Sequence, residues 1–162
     1  METKQKILGL LRLFMGWIFF WTFIDKLWGL GYTTETGKAW INGVSPTTGF
    51  LKFGTETGPL AGLFQSLAGQ VWVDWLFMLG MLTIGLALLL GIGLKIACWS
   101  GVVMMALLYG ASLPVEHNIF VDEHIIYALL LVFFSATNVG HYFGWGRTWE
   151  NSTLVKKIFW LK

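Results

Sequence analysis

An all-α integral membrane bundle of four spanning helices is the fold class that this sequence predicts, and three observations predict it. Charged residues fill 12% of the 162 positions and apolar ones 56%, whereas soluble domains carry roughly 25% charged residues. Four windows of about 20 mostly apolar residues, the length that crosses roughly 30 Å of hydrocarbon, divide the chain. Ten Trp and thirteen Phe exceed what a small soluble core can hide, but a bilayer accepts them on outward helix faces and at its interfaces. The net charge of +2 is small and dispersed. Polyanion-binding surfaces need clustered Lys and Arg, so nucleic acid is not an expected partner. The one cysteine, Cys98, excludes an intrachain disulfide, a CxxC pair and a thiolate metal cage.

The chain reads as a single domain over residues 1–162. Its first span is expected at about 7–27, and its apolar stretch is too long for a cleaved signal. The outer loop over 29–71 is rich in Gly and Thr. Within it Pro59 suits a first helical turn, and Leu60, Leu63, Phe64 and Leu67 follow at the spacing of one apolar stripe, predicting a short interfacial helix. The second and third spans follow at about 72–90 and 96–113, joined by a tight turn that makes them an antiparallel hairpin, and the fourth at about 124–142. In the C-terminal tail, 143–162, Asn151 or Ser152 is placed to cap an amphipathic helix. Its Leu154, Ile158 and Leu161 point one way, while Lys156 and Lys157 point towards anionic lipid.

Four spans put both termini on one side. That side holds Lys4, Lys6, Arg12, Lys95, Arg147, Lys156, Lys157 and Lys162 against Glu2 and Glu150, a balance of +6. The other holds Lys26, Lys38 and Lys52 against Asp25, Glu35, Glu56, Asp74, Glu116, Asp122 and Glu123, a balance of −4. The positive-inside rule then predicts cytoplasmic termini and a plasma-membrane location. Lipid gives helices no hydrophobic reason to associate, so small residues are expected at the contacts. Thr83, Ala87 and Gly91, Ala97 with Gly101, and Ala106 with Gly110 are the expected stripes.

Ionisable groups in or beside spans are costly and need a reason. Arg12 lies about one turn into the first span and is expected to snorkel to the inner phosphates, a buried partner or an anionic ligand being the alternatives. Asp25 and Lys26 are adjacent on a helix and so do not face each other; each is expected to have another partner or water. The densest polar run is Glu116 to His124, continuing to Tyr127. If a helix begins near Asp122, His124 and Tyr127 share a face. Imidazole titrates near neutrality and carboxylates tune it, so such a group suits proton exchange with a reducible headgroup. A helix N-terminus with solvated acids is the simpler reading. His117 and His124 lack HExxH spacing, His141 falls at the other membrane face, and no glycine signature lies between a strand and a helix. No metal, haem or nucleotide is predicted.

These residues also carry a resemblance. The run Leu11-Arg12-Leu13-Phe14-Met15-Gly16-Trp17 leading to Asp25-Lys26-Leu27, the turn ending at Gly91, Asn118 to Ala128, and Gly144-Trp145-Gly146 together resemble the DoxX/DoxD family of four-helix membrane proteins. Its DoxD branch is the membrane subunit of thiosulfate:quinone oxidoreductase. The resemblance implies quinone as cofactor, and Arg12, Lys26, Asn118, Asp122 and His124 match the family pattern. The expected function is therefore a membrane subunit of a quinone-linked oxidoreductase. His124 and Asp122 would be its catalytic pair, and Tyr127, Asn118, Lys26 and Arg12 would support the cofactor. The alternative is a non-catalytic anchor or accessory subunit of a larger redox complex. Either role implies the bilayer and other membrane or peripheral redox subunits as partners, and leaves self-association open. Two departures stand out: apolar residues fill Leu76 to Leu82, where many relatives carry an acid, and the −4 outer balance repels a dianion such as thiosulfate.

Overall fold

The computed structural model describes residues 1–115, 118 and 120–161, with the side chain of Phe159 left aside. Among them the secondary structure is entirely helical. The elements are α1 (Thr3–Trp28), α2 (Thr48–Phe53), α3 (Ala61–Leu67), α4 (Val71–Leu90), α5 (Leu94–Ala111), α6 (Glu123–Ser135), α7 (Gly146–Glu150) and α8 (Thr153–Lys157), with short 3-10 turns between. Helices α1, α4 and α5 are long and apolar enough to cross a membrane. By contrast, α6 stops at Ser135 and reaches only about 20 Å at 1.5 Å per residue.

The span expected at 124–142 is thus a shorter helix, a break and a 3-10 turn at Val139–His141. Ser135 Oγ donates to the Val132 carbonyl at 2.7 Å and Thr137 Oγ1 to the Phe133 carbonyl at 2.9 Å. Side chains that bond nearby carbonyls give the backbone an alternative to the helix ladder. Beyond them Gly140 is drawn against Gly91: a Cβ on Gly91 would meet the Gly140 carbonyl at 2.8 Å. Gly91 itself closes α4 at φ +75°, a left-handed conformation that only glycine takes without cost.

The helices pack α1 on α4, α4 on α5, and α5 on α6. The core is built from Met15 and Phe19 of α1, Met81, Ile84 and Leu88 of α4, Cys98 and Met105 of α5, and Leu131 and Phe134 of α6. Small residues do bring the backbones together, but they are partly different ones. Thr83 is exposed, and the α1–α4 contact runs through Gly16 and Gly85, where a Cβ on Gly85 would stand 2.6 Å from the Phe20 nitrogen. Gly101 meets Leu131 of α6 as a stripe residue should, whereas Ala106 faces outward.

The long loop between α1 and α4 is pinned by two acids at helix ends. Asp25 accepts from the Thr33 hydroxyl at 2.7 Å and from the Thr33 and Thr34 amides at 3.0 and 2.8 Å. Asp74 accepts from Ser45 Oγ at 2.7 Å and Thr47 Oγ1 at 2.6 Å. A short helix does follow Pro59: α3 starts at Ala61, with Pro59 outside its first turn. Phe64 packs there with Leu51 and Ala111 while Leu63 stays exposed.

Candidate functional site

At the start of α6, Asp122 serves as the N-cap. One oxygen, Oδ1, accepts from the His124 amide at 3.0 Å and the Ile125 amide at 3.3 Å, satisfying donors that no helical carbonyl reaches. The other, Oδ2, lies 2.7 Å from Nδ1 of the His124 ring. Burial pushes the Asp122 carboxyl up. The bond from the His124 ring, the Ile125 amide, attraction to the imidazolium and the His124 amide outweigh it and hold the group below its ordinary value. Asp122 also fixes the imidazole tautomer. With Nδ1–H directed at the carboxylate, Nε2 is the nitrogen left to exchange a proton.

The approach to the pair is a tight loop. Asn118 Oδ1 accepts from the Phe120 and Val121 amides at 3.2 and 3.5 Å, and the Tyr109 hydroxyl of α5 donates to the Phe120 carbonyl at 2.7 Å. Tyr109 carries no sequence signal beyond being a phenol near the end of an apolar span. Tyr127 lies one turn after His124, half-buried against the core. Asp122, Glu123 and His124 bring one possible ligand atom each within 4.8 Å of one another, but both Asp122 oxygens already accept hydrogen bonds. Glu116 and His117, counted in the polar run, lie outside the described residues.

Arg12 lies at the opposite end of the bundle from this pair, and Lys26 faces α4. The Lys26 ammonium lies 5.9 Å from the centroid of the Phe77 ring on α4, a cation–π distance. Arg12 is 0% exposed, so it does not snorkel. Its Nη1 donates to the carbonyls of Leu88 and Leu89, the latter at 3.2 Å, and its Nη2 to those of Tyr142 at 2.9 Å and Phe143 at 3.0 Å. The guanidinium therefore neutralises the carbonyl end of α4, where the helix dipole is negative. Phe143 takes φ +55°, a conformation rare for a bulky residue, and its carbonyl reaches Arg12. Gly144 and Gly146 pack close to Gly140, so these glycines surround a second polar centre that spacing alone did not indicate.

His141 and Glu150 meet at the same end, 3.0 Å apart. Beside them a cavity of about 240 Å³ is lined by Lys95, Thr137, Asn138, Trp149 and Glu150 among others. Comparison with family models, curated proteins and solved structures returns no match.

Proposed function

We propose that the chain is a plasma-membrane subunit of a quinone-linked oxidoreductase, spanning the bilayer four times with cytoplasmic termini and resembling the DoxX/DoxD family. The observation that carries this reading is the Asp122–His124 pair, 2.7 Å between ring and carboxylate, at the mouth of an apolar helix. A quinone held beside it would supply a two-electron, two-proton acceptor, the electrons arriving from a partner redox subunit and the protons passing through His124. The donor set fits an oxygen-bearing ring. His124 offers Nε2 as donor when protonated and acceptor when neutral, and Asp122 stabilises the charged form. Asn118 holds the loop that leads to the pair, and Tyr127 sets the wall one turn deeper. Lys26 is expected to support the cofactor from α1, whereas Arg12 is held by backbone carbonyls at the far end.

The test is quinone reduction by membranes carrying the chain at matched expression. His124→Ala is expected to lower the rate at least tenfold, in keeping with general acid–base contributions of about 10²–10⁴. Asp122→Asn is expected to lower it less, because it disturbs the tautomer and not the ring. An unchanged rate in His124→Ala removes the pair from the chemistry. The accessory-subunit reading is favoured by a different observation: Asp122, Asn118 and Tyr109 all satisfy local backbone groups. Under that reading the His124→Ala rate is unchanged and the chain leaves the membrane in stable complex with redox subunits.

A further inference from the structure

The end of the bundle that holds Arg12 also carries a surface that the long helices leave uncovered. The Trp145 amide donates to the Leu90 carbonyl at 2.8 Å, so the C-terminal segment starts at this end. Ser152 caps α8, Val155 is buried beneath it, and Trp149 Nε1 donates to the Leu161 carbonyl, folding the segment onto itself. The 3-10 turn at Phe159–Leu161 packs against α5. What remains outward is Leu154, Ile158 and Trp160, the last 66% exposed, with the exposed cations Arg147, Lys156 and Lys157 among them. Leu154 and Ile158 of the expected stripe both face outward, Leu161 is half-buried, and Val155 is the side chain that faces in; the helix itself ends at Lys157.

Lys4 and Lys6 are exposed at the start of α1, which the Arg12 bonds place at this same end. Of the acids here, Glu150 is engaged with His141 and Glu2 is exposed at the start of α1. The opposite end exposes Glu35, Glu56 and Glu123 with Lys38 and Lys52, and Lys38 is paired with Glu35. Exposed cations from two segments, with Leu154, Ile158 and Trp160 interleaved among those of the second, define what the surface fits.

We propose that residues 147–161 form a docking surface for anionic phospholipid. Arg147, Lys156 and Lys157 meet the headgroup phosphates, and Leu154, Ile158 and Trp160 enter the acyl boundary below them. Each basic side chain near an anionic membrane surface contributes about 1 kcal/mol, a factor of about five in binding. The interleaved apolar groups add burial of the kind that holds interfacial helices. Val155 and the Trp149–Leu161 bond keep the segment presented as a plate rather than a free tail. This surface is independent of the Asp122–His124 pair.

The test uses the full chain in detergent, equilibrated with equimolar phosphatidylglycerol and phosphatidylcholine, with retained lipid counted by native mass spectrometry. Phosphatidylglycerol is expected to be retained preferentially. That preference should fall about fivefold for each of Lys156→Gln and Lys157→Gln, and stay unchanged in Lys38→Gln and Lys52→Gln at the other end. A second readout is a polarity-sensitive dye on Ile158→Cys, since Cys98 is buried and shielded from labelling. Its emission should shift to the blue in phosphatidylglycerol nanodiscs relative to phosphatidylcholine ones. Equal retention of the two lipids, a lysine variant that keeps the full preference, or a dye indifferent to lipid charge overturns the proposal.

Discussion

Arg12 donates to four carbonyls, and all four belong to residues 76 to 131 positions away in the chain. Its importance was legible, because an arginine inside an apolar window needs a reason. Its partners were not, because backbone carbonyls carry no residue-specific signal. Arg12→Met leaves buried acceptors unpaired and is expected to cost about 3 kcal/mol or more. Thermal unfolding in detergent reads this as a lowered midpoint, with Arg12→Lys between the two. Asp122 makes a second residue-scale prediction. Its folded-state pKa lies below its ordinary 3.8, so between the two values the unfolded chain binds more protons. The stability that Asp122 adds is therefore fully present above the unfolded value and lost as pH falls through the folded one. Asp122→Asn should flatten the part of the pH dependence of unfolding that lies below about pH 4, and should lower stability at neutral pH by about 1 kcal/mol if the amide caps less well. An unchanged acid limb would show that the carboxylate does not set it.

Helices are where the sequence spoke most clearly. Apolar windows at 7–27, 72–90 and 96–113 are met by α1, α4 and α5 within a few residues, since span length follows directly from bilayer thickness. The fourth window fails at Ser135, because apolarity persists there while hydroxyls bonded to carbonyls and the Gly91–Gly140 approach end the helix. Spacing found small residues but not the pair that touches, because Gly16 and Gly85 are singled out by how α1 crosses α4. Gly85→Val must push Phe20 away and is expected to lower the unfolding midpoint. Thr83→Val, on an exposed face, should leave it nearly unchanged. Equal midpoints would place the α1–α4 contact elsewhere.

Across the whole molecule, the ends differ in sign and in construction. One gathers Asp25, Asp74 and Asp122 as clamps on loops and helix starts; the other gathers Arg12 and a ring of glycines. That separation was legible from charge counts alone, whereas the pairing of Asp122 with His124 needed the start of α6 to be fixed at Glu123. Single-cysteine variants Glu35→Cys and Lys157→Cys, treated with an impermeant reagent on intact cells, are expected to label from outside and to be protected, respectively. Labelling of both from one compartment would refute four spans.

The bonds of Arg12 also order events during biosynthesis. The first helix carries a charge whose last two acceptors, the Tyr142 and Phe143 carbonyls, are polymerised 130 and 131 residues after it. Until then the guanidinium has only the Leu88 and Leu89 carbonyls of its four acceptors. Chains truncated before Tyr142 should accordingly be degraded faster in pulse-chase than full-length ones, and Arg12→Leu should lengthen the lifetime of those fragments while shortening that of the finished protein.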